Sequence, residues 1–440
     1  MAKRQLGLGK ASEAKRAKKE QENGSGEVED GAKVDILEAK PDDNEEDFIT
    51  VPLEEDADPD DALSQLVALW RTWLRSDREN ELLLNGVVNE CDRILREEKE
   101  ETKNSSSLFA VFGLALADLA KFHTEDSDVK DYFENALERV DNGLDKYSDS
   151  PELKFAKSSI ILNRIPLEYI SHMDIESKSD EYPDIEALLE IATELYKEAA
   201  IGAQKEKKFD IFKELWVVEI LESLDDLIEI VRSFGKEHDE EEEDEEEEGE
   251  GEGEEEEVIT LSKDHPLYEV IRGIDKYGEF FRSQTANYLK TLKKAGIKDE
   301  TLKLRAARRL GVWYLIEAEN AASKYAELTY GGEDDTNTKE AAAAAAAKKL
   351  SKVDKKQAET AKTEATKLAK SAVEYLKEAW NEEDPKSWAD LAEAQITYGN
   401  LYPEGSSQQE SLYEKAEKGL KKANNATHGK YKEILEGLSG

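Results

Sequence analysis

Five histidines (His123, His172, His238, His265 and His428) and one cysteine, Cys91, are the side chains best suited to metal or nucleophilic chemistry in this chain. No two of them give the His-x3-His or Cys-x2-Cys spacing of a zinc site. His172-Met173-Asp174 matches the His-x-Asp half of a two-histidine, one-carboxylate iron site. That site needs a pocket built on strands, whereas the sequence around it reads as helix and loop, so no metal ligand is predicted. His238 lies in a run of acids. Cys91 sits at an apolar helical position and reads as a small core residue. A nucleophilic role would need a base and an oxyanion site, and nothing in the sequence supplies either. Carboxylate pairs abound in so acidic a chain and carry no catalytic information. The stretch Leu6-Gly7-Leu8-Gly9-Lys10 lacks the spacing of a phosphate loop. The sequence therefore predicts no catalytic residue, no metal site and no cofactor.

Binding is the chemistry left. Arg305, Arg308 and Arg309 form a local positive patch in a strongly negative chain. On the exposed side of a helix they could hold a carboxylate-bearing segment of a partner, or pair with neighbouring acids of their own chain. A tetratricopeptide carboxylate clamp would place an asparagine where this chain has Val312, which argues against a chaperone-tail ligand. At the other end, Lys3-Arg4 and Lys15-Arg16-Ala17-Lys18-Lys19 are ten residues apart. Two basic clusters so separated fit the two acidic sites of a nuclear import receptor. Lys3, Arg4, Lys15, Arg16, Lys18 and Lys19 are thus read as nuclear targeting residues.

The elements that position these residues read as helices throughout. Leu310-Gly311-x-x-Tyr314 is the first-helix signature of a tetratricopeptide repeat, in a helix expected over about 302–319. Its partner signature follows at Ala372, Leu376 and Ala379, with Pro385 beyond. Trp388, Leu391 and Ala392 begin another pair, completed by Ala416, Leu420 and Ala423. Phe112-Gly113-x-x-Leu116 repeats the first pattern, with Ala136-x-x-x-Val140-x-x-Gly143 as its mate, and Ala192-x-x-x-Tyr196-x-x-Ala199 gives one more second helix. In such pairs a small residue lets two helices approach closely, and stacked pairs offer a surface that holds another protein. Upstream, Leu63, Leu66, Leu69 or Trp70, and Trp73 form one apolar stripe, and Leu83, Val87, Cys91, Ile94 and Leu95 another. Trp70, Trp73, Trp313 and Trp388 read as core. Pro166 is expected to end or kink the helix that precedes it, and Gly235 to stop the apolar helix over 209–234.

The predicted fold class is all-α, a tetratricopeptide-like helical-pair solenoid. Residues 1–58 read as a disordered tail, basic and then acidic, with Phe48–Leu53 as a linker or a clip. Residues 59–236 form an N-terminal helical part, 237–262 an acidic linker, and 263–440 a C-terminal part with an Ala-rich insertion at 331–360. A helix over about 338–381 is expected, its first half with little apolar stripe.

Formal net charge is −42, and the 17 acidic residues of 237–257 leave −25 on the rest. A body this acidic repels phosphate backbones, so direct nucleic-acid binding is not expected, while basic partners are favoured at encounter. The tract itself is a spacer or a docking site for basic proteins such as histones or ribosomal proteins. One cysteine excludes an intrachain disulfide and fits cytosol or nucleus. No apolar run is long enough to cross a bilayer, and no secretory signal is recognisable.

Five stretches together resemble one fungal family. They are Met1-Ala2-Lys3-Arg4-x-Leu6-Gly7-Leu8-Gly9-Lys10, Leu84–Arg93 (LNGVVNECDR), Phe133–Val140 (FENALERV), Arg164–Ser171 (RIPLEYIS) and Asn425–Lys430 (NATHGK). The family is that of the budding-yeast enhancer of translation termination and the fission-yeast negative regulator of a prolyl-hydroxylase-like dioxygenase. The resemblance implies a helical tetratricopeptide-like fold, a nuclear location and binding to an iron- and 2-oxoglutarate-dependent dioxygenase, with effects on translation termination and hypoxic gene expression. The iron chemistry would then be the partner's, and the chain a non-catalytic adaptor. The rival expectation is an acidic histone or ribosomal-protein chaperone acting through 237–257.

Overall fold

The computed structural model describes residues 33–37, 48–52, 61–97, 105–235, 261–330 and 352–439. They contain fourteen α-helices and one two-stranded sheet. The basic clusters at 3–4 and 15–19, the acidic tract 237–257 and the alanine run 341–347 lie outside them.

The all-α reading holds with one addition. Strand β1 (Lys33–Leu37) pairs antiparallel with β2 (Phe48–Pro52), Lys33 opposite Pro52 and Leu37 opposite Phe48. Phe48–Pro52 lies within the Phe48–Leu53 stretch singled out in the tail. Val34, Ile36, Ile49, Thr50 and Val51 are β-branched, and such residues suit a strand even when the flanking chain is acidic.

The chain divides into two compact units. The first takes residues up to Ile211 together with Ser223–Gly278. Helix α1 (Ala62–Arg75) starts on Asp61, whose carboxylate accepts the Ser64 N–H at 2.9 Å. It buries Leu66, Leu69, Trp70 and Trp73. Helix α2 (Glu81–Glu97) buries Leu84, Val87, Cys91 and Ile94 completely. Burial, with Glu90 and Asp92 beside it, pushes the Cys91 thiol well above its usual pKa, the behaviour of an inert core residue.

Helices α3 (Ser106–Leu119) and α4 (Asp126–Lys146) form the first motif pair. A Cβ on Gly113 would stand 2.5 Å from Val140 Cγ2 and 2.9 Å from the Ala136 carbonyl oxygen. A Cβ on Gly143 would meet Phe109 Cβ at 2.8 Å. The two glycines therefore interlock the pair in an antiparallel sense. Helix α5 (Pro151–Arg164) follows, capped by Ser150 with Pro151 in its first turn, where a missing N–H costs nothing. It packs on α6 (Ile185–Glu206) through Phe155 and Tyr196, ring centroids 5.1 Å apart. Ser158 Oγ donates to the Ala192 carbonyl at 2.7 Å. The α-helix ends at Arg164, two residues before Pro166, as expected; the chain then widens into a π turn over Ile165–Tyr169 and tightens to a 3-10 turn over Ile170–His172.

Helix α7 (Leu215–Ser233) ends at Gly235, φ +79°. A 3-10 turn, Phe209–Lys213, precedes it, so the single helix expected from 209 is broken there. Helices α8 (Tyr268–Arg272) and α9 (Ile274–Ala295) lie beyond the acidic tract. The domain boundary expected at 237–262 falls inside the first unit, and two contacts explain why. The buried His265 bonds the Asp174 carbonyl through Nε2 at 2.9 Å and accepts the Leu267 N–H on Nδ1 at 3.1 Å. Lys276 reaches Glu186 at 2.7 Å and Glu190 at 2.9 Å.

The second unit takes Phe212–Glu222 and the chain from Glu279. Helices α10 (Glu300–Tyr330) and α11 (Lys352–Glu378) run antiparallel, and a Cβ on Gly311 would lie 2.6 Å from Leu376 Cγ. Leu315, Ala372, Leu376 and Ala394 form one core cluster. Ala318, Ala365, Ala369 and Leu401 form the next. Helix α10 is about three turns longer than the 302–319 expected. The described part of α11 is buried on one side from Ala358 onward, through Ala361, Ala365 and Ala369. Small side chains at three- and four-residue steps make that stripe, while most of the first half of the helix expected over about 338–381 lies outside the described residues. Helices α12 (Pro385–Asn400) and α13 (Ser407–Ala426) pack through Trp388, Ala392, Ala416, Leu420 and Ala423. Tyr431 and the short α14 (Lys432–Ser439) cover that cluster with Leu435 and Leu438.

Candidate partner-binding surface

The arginine patch lies on the first turns of α10. Arg305 is held by Glu222 of α7, with Nε at 3.0 Å and Nη2 at 2.5 Å from its two carboxylate oxygens, and by Glu219 at 3.3 Å. Partial burial works against the Arg305 charge, but the Glu222 and Glu219 carboxylates more than offset it and raise its pKa. Arg308 donates from Nε to Asp390 at 2.8 Å and from Nη1 to Asp384 at 3.0 Å. Asp384 is also the N-cap of α12, accepting the Lys386 N–H at 3.0 Å with its other oxygen. One aspartate thus caps a helix and anchors a guanidinium of a neighbouring one. Burial raises the Asp390 pKa, and the Arg308 charge limits that rise.

Of the two alternatives open for these arginines, the structure displays intrachain pairing for Arg305 and Arg308. A partner carboxylate would have to compete with bonds already made. The acids involved are 76 to 86 residues away in sequence, so spacing could not have pointed to them. Val312 is partly buried against the Leu315–Leu376 cluster, where a clamp asparagine would have had to project.

The other residues singled out for chemistry are scattered. His172 lies 3.6 Å from the Asp126 carboxylate, and its carbonyl accepts the Tyr182 hydroxyl at 2.9 Å. The Asp174 side chain turns back onto the Glu176 N–H at 2.9 Å. The His-x-Asp pair is thus spent on loop structure. Among the described residues no group of three or more His, Cys, Asp or Glu is placed to hold a metal, and no helix is long and apolar enough to cross a membrane. Trp70, Trp73, Trp313 and Trp388 are all buried. Trp73 also donates to Asp118 at 2.9 Å, fixing α1 to α3.

Residues 1–439 match the family described as nuclear pore complex subunit Nro1. The chain belongs to the Nro1 family. Two similar curated proteins are both called enhancer of translation termination 1. The one from Debaryomyces hansenii is 41% identical over 471 residues, covering 99% of each chain. The one from Candida tropicalis is 41% identical over 462 residues, covering 100% of this chain and 99% of that one. Among solved structures, one reported under the statement that the hypoxic regulator of sterol synthesis Nro1 is a nuclear import adaptor superposes with a TM-score of 0.53. It is 16% identical and covers 85% of this chain and 92% of that one. A structure of the S. pombe nuclear import adaptor Nro1 gives 0.52 at 15% identity, covering 86% and 98%. At such identities these two establish the shared Nro1-family fold, and it is the helical one described above.

Proposed function

We propose that this Nro1-family chain is a non-catalytic nuclear adaptor that binds an iron- and 2-oxoglutarate-dependent, prolyl-hydroxylase-like dioxygenase. Through that partner it affects translation termination fidelity and hypoxic gene expression. Full-length similarity to proteins named for translation termination, on the fold of proteins named as nuclear import adaptors, is the observation that carries this reading. The architecture supports it. Antiparallel helix pairs locked at Gly113 and Gly311 give a scaffold whose outward helix faces are free to meet a polypeptide. On this reading the iron chemistry is the partner's.

Lys3, Arg4, Lys15, Arg16, Lys18 and Lys19 serve as the handle for the import receptor, and the helical units carry the dioxygenase. Arg305, Arg308 and Arg309 are proposed to border the dioxygenase contact rather than to form its centre, since Arg305 is held by Glu222 and Glu219 and Arg308 already donates from Nε and Nη1 to acids of its own chain, with only its buried Nη2 unbonded. Affinity purification of the chain from its own cells tests the function: the dioxygenase is expected at about one copy per chain. Replacing the acids of 237–257 by glutamine should leave that complex intact. Loss of the dioxygenase on that change alone, together with loss of basic clients, would instead make the chain an acidic chaperone.

A further inference from the structure

One cleft in the first unit has no part in the reading above. It encloses about 480 Å³ and is lined by α4 and by the chain on either side of the π turn. Its sides are Asp126, Lys130 and Glu134 on α4 and Arg164, Glu168 and Tyr169 at the π turn, with Glu181 and Tyr182 opposite. Two of the stretches that carry the family resemblance, 133–140 and 164–171, supply Glu134, Arg164, Glu168 and Tyr169. These are cleft residues rather than core ones.

The floor is saturated. Arg164 donates to both oxygens of Glu168, at 2.5 and 3.0 Å, and lies 3.9 Å from Glu134. Lys130 stands 3.7 Å from the same Glu134. The mouth is different. Asp126 has only the His172 ring nearby, at 3.6 Å, and is largely exposed. The Glu181 carboxylate makes no hydrogen bond or ion pair within the described residues. Four carboxylates against two cations leave the lining at −2 with His172 neutral, and Tyr169, whose ring centroid lies 5.5 Å from the Arg164 guanidinium carbon, and Tyr182 add two aromatic rings to the lining. Carboxylates next to aromatic rings suit an arginine or lysine whose stem lies along the rings while its charge meets the acids.

We propose that this cleft docks an extended, arginine- or lysine-bearing segment of a protein partner, its cation seated between Asp126 and Glu181 against Tyr169 and Tyr182. The inference rests on the adaptor reading only in taking the occupant to be a partner's segment. Charge argues for that occupant: the chain as a whole carries −42 and draws basic polypeptides at encounter.

The test uses the full chain and a fluorescein-labelled dodecapeptide of alternating glycine and arginine, followed by anisotropy at physiological salt. Asp126→Lys/Glu181→Lys reverses two exposed charges; Asp126 opens α4, where Asp128 remains to face the helix N-terminus, and circular dichroism should show the fold unchanged. The expected result is a probe affinity at least about tenfold weaker for this variant. A chain with the acids of 237–257 changed to glutamine should lose less than about threefold. The proposal is overturned if the tract variant loses the probe and the cleft variant keeps it. It is overturned as well if changing Lys15, Arg16, Lys18 and Lys19 to alanine tightens the probe about tenfold, since the chain's own tail would then be the occupant. Dioxygenase recovery by the same variants separates this proposal from the adaptor reading: a wild-type chain that binds the probe at the cleft but recovers no dioxygenase sinks the latter alone.

Discussion

Gly113→Ala tests the physics of the helix pairs most sharply. The added methyl would stand 2.5 Å from Val140 Cγ2, 3.3 Å from Ile160 Cδ1 and 2.9 Å from the Ala136 carbonyl oxygen. A side chain can rotate away from such a contact, but a helix carbonyl cannot, so α4 must move as a body. Overpacking of this kind costs about 1–3 kcal/mol. Replacing glycine by alanine inside a helix returns about 1 kcal/mol. The net expectation is a loss of up to about 2 kcal/mol. Gly202 on α6 is the internal control in the same unit. A Cβ there meets nothing closer than Pro151 Cγ at 3.6 Å, an ordinary contact. Gly202→Ala should therefore stabilise by about 0.5–1 kcal/mol. Guanidinium unfolding followed by far-ultraviolet circular dichroism reads both variants, with midpoints moving in opposite directions. If Gly113→Ala rises along with Gly202→Ala, α3 and α4 are not in close contact and the paired-helix account of this unit is wrong.

Further expectations concern single contacts. Arg308→Ala strands the largely buried Asp390 carboxylate and should cost about 1–3 kcal/mol at neutral pH. Burial already places the Asp390 pKa above its usual value, and removing Arg308 raises it further; a raised carboxylate loses its stabilising share as pH climbs through its folded pKa, so the thermal deficit of the variant should shrink from pH 8 to pH 5, and a deficit independent of pH would contradict the pairing. For Asp118, burial alone would raise the pKa, but Lys121 at 2.7 Å and the Trp73 N–H together bring it below the usual carboxylate value. That contribution is full above the unfolded pKa and lost as pH falls through the folded one, so Asp118→Asn should cost about 1–2 kcal/mol at pH 7 and flatten the acid limb of unfolding below about pH 4. His265→Ala removes the Nε2 bond to the Asp174 carbonyl and the Nδ1 bond that holds the local turn at Leu267, leaving Ser179 on Asp264 as the remaining tie between 261–267 and the 174–179 loop, and limited proteolysis should then cut within 261–267 several-fold faster while cleavage in α3 to α5 stays unchanged.

The sequence was informative wherever a contact depends on residues close in the chain or on a repeated pattern. Gly113 with Val140 and Gly311 with Leu376 follow from motif halves that predict a close approach, and the structure has it. The breaks at Pro166 and Gly235 lie where backbone chemistry puts them, and at Pro166 the α-helix gives way to a π turn. What escaped was mainly long-range. Contacts between residues far apart in sequence leave no periodic trace: the Arg305–Glu222 and Arg308–Asp390 pairs, the cleft joining α4 to the π turn, and the His265 staple that keeps the chain beyond the acidic tract within the first unit. The β1–β2 ladder was hidden because its five-residue strands sit in acid-rich sequence.

The most direct measurement of the central claim is cross-linking with mass spectrometry on the complex purified through the endogenous chain. The adaptor account predicts a stoichiometric iron- and 2-oxoglutarate-dependent dioxygenase cross-linked to helical residues within 61–235 or 261–439. A complex without that enzyme, or one whose cross-links fall only on the acidic tract, would contradict it.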